Sequence, residues 1–139
     1  IDERGWLCEL FRHDELDKTS WPVMAYVSTT LPGVARGPHE HERQTDSFAF
    51  IGPGNFKVYL WDNRENSPTF GERQTVCAGQ DAPRLVIVPP GVVHAYRNIG
   101  HEPGVVFNAP NALYAGEGRA ETVDEIRHED NPDSRFSLD

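Results

Sequence analysis

Along this chain the apolar residues recur at a period of two more convincingly than at 3.6. Short segments rich in Val, Ile, Phe, Tyr and Thr carry the alternation: Met24 to Thr30, Phe48 to Ile51, Phe56 to Asp62, Leu85 to Val88, Val92 to Tyr96 and Val105 to Asn108. Each reads as a strand. Between them lie the turn signals Leu31-Pro32-Gly33, Gly52-Pro53-Gly54, Asn66-Ser67-Pro68 and Pro89-Pro90-Gly91, close enough together to predict a sandwich or barrel. The 12 Gly and 11 Pro fit that picture better than a helical bundle. The last stretch, Glu121 to Asp139, is mostly polar, with Ile126 and Phe136 as its apolar anchors. It is either a docked C-terminal arm or a frayed tail.

A chain of 139 residues fits one domain, residues 1–139. Its 22 acidic and 13 basic residues give a formal charge of −9, which repels a phosphate backbone, and no Lys/Arg stripe offsets it. Nucleic acid is therefore excluded as an expected partner. No apolar run approaches the ~20 residues that span a bilayer, so no membrane partner is expected either. Cys8 and Cys77 are too few and too isolated for a disulfide framework or a CxxC zinc site, and a cytoplasmic setting follows. The start, IDERGWLCEL, has neither the basic nor the apolar region of a leader. Opening on Ile1 rather than Met, it leaves room for residues upstream.

The chemistry concentrates in two segments, Gly33 to Gly54 and Pro89 to Asn98. On a strand, side chains two positions apart point the same way, so the His39-Glu40-His41 run aims two imidazoles at one side and Glu40 at the other. Gly33, His39, His41 and Asp46 resemble the first cupin motif, and Pro89, Gly91, His94 and Asn98 the second. Asp46 stands where cupins usually have Glu, and Pro83 where a Gly usually precedes the second motif. The cupin resemblance implies an all-β fold, a cupin-type double-stranded β-helix or jelly roll. Three imidazoles and a carboxylate (His39, His41, Asp46, His94) suit a divalent transition metal of unspecified identity. The other reading is that these histidines only hydrogen-bond within a polar barrel mouth. Gln44, on Asp46's face of an extended segment, is a competing ligand or substrate contact. Arg36 either meets an anionic part of a substrate or makes a surface ion pair. Trp6, Trp21, Tyr26 and Trp61 read as core or rim packing, and His13, His101 and His128 as surface residues.

More specifically, residues 2 to 131 resemble the dTDP-4-dehydrorhamnose 3,5-epimerases. The likeness rests on Asp2-x-Arg4-Gly5 with Glu9 following, Gly33-Val34-x-Arg36-Gly37-x-His39, Asp62-x-Arg64-x-x-Ser67-Pro68-Thr69-Phe70-Gly71, and Pro89-x-Gly91-x-x-His94. The SPTFG stretch is the most specific part. The resemblance implies a homodimer in which Arg4, Trp6 and Glu9 reach toward the neighbour's nucleotide site. It also implies an epimerase or isomerase acting on a keto-sugar nucleotide or related carbonyl compound. His39 is then the base, His94 a second catalytic group, and Arg36, Arg4, Trp6, Glu9 and Gln44 contact substrate. No organic cofactor is implied.

The chain departs from that family at its helper groups. Asp46 takes the place of a Lys, Phe107 lies near the place of a Tyr, and the segment carrying an Asp that orients the base is absent. His41 replaces a Gln, and Met24 and Tyr26 replace a polar Gln and Asn. Gaining His41 and Asp46 while losing a cation is what conversion to a metal site requires, and a metal can stabilise an enolate as a Lewis acid. The sugar-nucleotide 3,4-ketoisomerases are a second resemblance, through Arg36-Gly37-x-His39-x-His41. Two further classes stay open: a metal-dependent cupin such as an oxygenase, and a non-catalytic carbohydrate-binding relative.

Overall fold

Nine strands supply nearly all the regular structure of the computed structural model, which describes residues 1–139. They are β1 (Tyr26–Thr30), β2 (Ala35–Glu40), β3 (Asp46–Phe50), β4 (Asn55–Asp62), β5 (Arg73–Gly79), β6 (Arg84–Val88), β7 (Val92–Asn98), β8 (Gly104–Asn108) and β9 (Ile126–Arg127). Two antiparallel sheets result, one ordered β1-β8-β3-β6 and the other β5-β4-β7-β2-β9. This is the all-β jelly roll that the cupin resemblance implies. All six strands read from the alternation form, with ends shifted by up to two residues; β2 carries His39 and Glu40 of the run read as extended, whereas β5 and β9 were not anticipated.

Alternation decides what each strand buries. Phe48 and Phe50 of β3, Phe56 and Val58 of β4, Tyr96 of β7 and Val106 of β8 point between the sheets and form the main core. Their rings meet edge-on or tilted, with Phe50 and Phe56 each about 5.5 Å from Tyr96 (5.4 and 5.6 Å), a favoured aromatic geometry. The intervening residues Tyr59, Trp61, Val93 and Ala95 face outward yet are buried, because Phe136 and Leu138 of the C-terminal stretch lie over them. Trp61 thus packs as its sequence context suggests.

Toward one end the inward positions turn polar: His94 of β7 and Asp46 of β3 continue the lines of Tyr96 and Phe48. Gly37, at φ +88°, brings β2 so close to β7 that a Cβ there would meet the His94 carbonyl oxygen at 2.6 Å. The pairing shifts register between Arg36 and His39 and sets His39 directly opposite His94.

Candidate functional site

The most specific stretch of sequence is architectural. Asp62, at the end of β4, accepts from Arg64 Nε at 2.9 Å, Arg64 Nη2 at 3.0 Å, Ser67 Oγ at 2.5 Å and Thr69 Oγ1 at 2.6 Å. The Arg64 guanidinium, followed by those hydroxyls, holds the Asp62 carboxyl well below the usual carboxylate range. Arg64 lies over Gly91, where a Cβ would meet its Cγ at 2.6 Å. The Gly91 N–H in turn donates to the His41 carbonyl at 2.9 Å. The Asp-x-Arg…Ser-Pro-Thr-Phe-Gly turn therefore fixes the loop that carries His41 and the turn that leads into β7 and His94. Asn98 is structural as well: its amide nitrogen donates to the Thr30 and Glu102 carbonyls, both at 2.8 Å, and its oxygen accepts from Gly100 N–H at 2.8 Å.

His41, Asp46 and His94 come together, with one ligand atom from each lying within 4.8 Å of the others. Asp46 Oδ2 is 2.9 Å from His41 Nε2 and 3.4 Å from His94 Nε2. Burial opposes charge on all three, with unequal results. It pushes the His94 imidazole down to about 4 even with Asp46 beside it. For His41, the Asp46 carboxylate and the Asp124 carbonyl outweigh burial and raise the ring above its ordinary value. The Asp46 carboxyl, buried too, is held down to about 2 by the hydrogen bond from His41 and the charges of both rings.

His39 stands apart from that cluster. Its ring centroid is 6.3 Å from that of His94, nearly perpendicular at 85°. Its nitrogens face carboxylates of the C-terminal stretch, Nε2 at 2.5 Å from Glu129 and Nδ1 at 3.6 Å from Glu125. A carboxylate on one ring nitrogen fixes the tautomer and stabilises the imidazolium that forms when the other takes a proton. Glu129 is placed to orient the His39 ring in this way. Asp124, five residues earlier, accepts from the N–H groups of Glu42, Arg43 and Gln44 at 2.9, 3.0 and 3.0 Å, and its carbonyl meets His41 Nδ1. His128, read from the sequence as a surface residue, is instead largely buried: its Nε2 lies 2.7 Å from Glu40 Oε2, and its ring packs on Phe136 at 4.6 Å. Glu40 points away from the two imidazoles, as the strand period requires.

These groups open on a cavity of about 920 Å³, whose wall includes His39, His41, Arg36, Tyr26 and Arg119. Arg36 makes no ion pair; its guanidinium donates to Thr30 Oγ1 at 3.0 Å and the Thr29 carbonyl at 2.8 Å. Gln44 donates to Asp46 Oδ1 at 2.8 Å. Tyr26 takes a hydrogen bond from Asn108 at 3.1 Å, and burial pushes its phenol up to about 12. Tyr114 lines the cavity; Phe107 does not. Arg4, Trp6 and Glu9 are absent from the wall and lie on an exposed N-terminal segment, with Arg4 paired to Asp2 at 2.6 Å.

The sequence pattern of the dTDP-4-dehydrorhamnose 3,5-epimerase family matches residues 1–131. The chain belongs to this family. The probable low-salt glycan biosynthesis epimerase Agl13 of Haloferax volcanii is 40% identical over 114 residues, 81% of this chain and 72% of that protein. The spore coat polysaccharide biosynthesis protein SpsL of Bacillus subtilis is 39% identical over 107 residues, 73% of this chain and 66% of its own length. The chain thus spans about two thirds to three quarters of these curated relatives. A dTDP sugar isomerase from Desulfovibrio desulfuricans superposes with a TM-score of 0.83 at 29% identity, covering 99% of this chain and 83% of that one. No helix of the present chain is long and apolar enough to cross a membrane.

Proposed function

We propose that the protein is an epimerase or isomerase of a 4-keto sugar nucleotide in which His39 moves protons at carbons beside the keto group. The observation that carries this is the His39 ring, set on the cavity wall with Glu129 at 2.5 Å from Nε2. Such protons are weakly acidic, so a base needs three supports: a partner for its own positive charge, an electrophile for the enolate oxygen, and an acid on the other face. Glu129 is the first. Tyr26, kept a phenol on the same wall, suits the third. For the second, Asp46 cannot do what a lysine does, and a divalent transition metal is the cofactor we assign to that role.

An anionic substrate approaching a chain of charge −9 needs local cations, and Arg36, Arg43 and Arg119 on the wall offer them to a diphosphate. Both similar curated proteins serve glycan or polysaccharide biosynthesis by name. We further propose that residues 1–139 form one cupin unit with 121–139 as its arm, and that it works as a homodimer. The exposed Trp6, Leu7 and Phe11, and Leu85 and Ile87 on the outer face of β6, are the apolar surface that a second copy would cover. The free, exposed Cys8 and Cys77 suit a reducing cytoplasm.

Incubation with candidate 4-keto sugar nucleotides in heavy water tests the reaction. Deuterium should enter at carbon 3 or 5 with the native protein and not with His39→Asn. Failure of every candidate to exchange, with protein shown to be folded, overturns the proposal.

A further inference from the structure

Both histidines beside Asp46 are oriented from behind. His94 Nδ1 faces the Val92 carbonyl at 3.2 Å, and His41 Nδ1 faces the Asp124 carbonyl. With their Nδ1 protons directed at carbonyls, both rings turn Nε2 toward the same carboxylate oxygen. Asp46 is aimed in the same manner: its Oδ1 accepts from Gln44 Nε2 at 2.8 Å and Asn108 Nδ2 at 2.9 Å, which leaves Oδ2 to the imidazoles. Outer partners that fix tautomer and carboxylate direction are how metal ligands are held. Ligands bound at about 2.0 to 2.2 Å to one ion are spaced roughly 3.0 to 3.4 Å apart. The Oδ2 to Nε2 distances of 2.9 and 3.4 Å fall close to that range.

We infer that His41, Asp46 and His94 form a three-ligand site for a divalent transition metal, open to the cavity, and that His39 is not one of its ligands. Two imidazoles and one carboxylate suit Mn, Fe, Co, Ni or Zn, and three protein ligands leave positions for substrate oxygens. His39 is excluded by its position: its ring centroid is 6.3 Å from that of His94, nearly perpendicular, and its Nε2 faces Glu129 at 2.5 Å. A ring nitrogen bound to metal cannot accept a proton; one outside the site can. The assignment rests on the isomerase reading for its chemical role but not for its existence. The rival account of the same geometry is an ion pair between His41 and Asp46 with no metal at all.

Cobalt(II) titration of chelator-stripped protein separates the two accounts, read by visible absorption of the bound ion and by elemental analysis. The native protein and His39→Asn should each bind about one equivalent. Asp46→Asn, which preserves shape, and His41→Gln should weaken binding about a hundredfold or more, and Gln44→Ala about tenfold. A thermal melt of each variant establishes that it is folded. Native protein that takes up less than about a tenth of an equivalent, or metal lost with His39→Asn as fully as with Asp46→Asn, overturns the inference. Deuterium exchange by protein that binds no metal removes this site and leaves the isomerase proposal standing. Metal held without exchange does the reverse.

Discussion

Glu129 Oε1 lies 2.5 Å from Nε2 of His39, across ninety positions of chain. The carboxylate arrives on the C-terminal stretch, where β9 pairs Arg127 with His39 and Ile126 with Glu40. Arg127 in turn holds Glu129 at 2.9 Å. Glu129→Gln keeps the shape and removes the charge that stabilises an imidazolium. Its kcat should fall about a hundredfold to ten-thousandfold. An unchanged kcat would mean that Glu129 does not act on His39.

That contact explains how far the site could be read from sequence. The strands were legible because Val, Ile, Phe and Tyr alternate with polar residues wherever one face is buried. The His39-Glu40-His41 run was legible for the same reason, since a period of two sends Glu40 to the opposite face. β5 was not, because Arg73, Gln74 and Thr75 are exposed and leave no apolar stripe. The part of the C-terminal stretch that reaches the cavity was invisible for a different reason. Asp124, Glu125 and Glu129 look like ordinary surface acids until non-local pairing sets them against His41 and His39, and His128 looked equally ordinary until Glu40 faced it.

The anchor of this stretch is apolar, so it can be tested apart from the chemistry. Phe136 packs against Trp61 with ring centroids 5.7 Å apart and against His128 at 4.6 Å. Phe136→Ala should remove about 1 to 3 kcal/mol of packing, less than a fully buried Phe→Ala because the ring is half-buried. The protein should stay folded while amides of residues 124 to 129 exchange faster and kcat falls in the direction of Glu129→Gln. Normal turnover with fast exchange there would separate the docked segment from catalysis.

The Asp62 turn predicts a purely structural phenotype. Asp62→Ala strips four side-chain hydrogen bonds, two of them to a guanidinium, and should cost about 2 to 4 kcal/mol in denaturant unfolding. Because the folded carboxyl is held below its ordinary value, this stabilisation is present above the unfolded value of about 3.9. It fades as pH falls below that value. The native and variant stabilities should therefore converge in acid and stay apart at neutral pH.

Tyr26 separates proton removal from inversion. Its phenol, raised to about 12 and held by Asn108 at 3.1 Å, stays protonated through the working range, so no basic limb below about pH 10 should come from it. If it returns the proton on the face opposite His39, Tyr26→Phe should lower net epimerisation about a hundredfold or more. Exchange with retained configuration, which needs no acid on the opposite face, should persist. Equal loss of exchange and inversion would place Tyr26 in substrate binding instead.

The two histidines beside Asp46 pull stability in opposite directions with pH. His94, folded at about 4, favours the neutral ring, so its contribution is present above the unfolded value of about 6.5 and is lost as pH falls toward 4. His41 is raised in the folded protein, so its contribution is present below about 6.5 and is lost as pH rises through the folded value. In chelator-stripped protein the unfolded pair holds more protons than the folded pair just below about pH 6.5 and fewer just above it. Its contribution to unfolding free energy should therefore peak near pH 6.5. His41→Gln should remove the alkaline descent and leave the acid one. A bound divalent metal requires both rings neutral, so adding cobalt(II) should extend stability to higher pH and abolish the maximum; a maximum that survives a full equivalent of bound metal would mean the ion sits elsewhere.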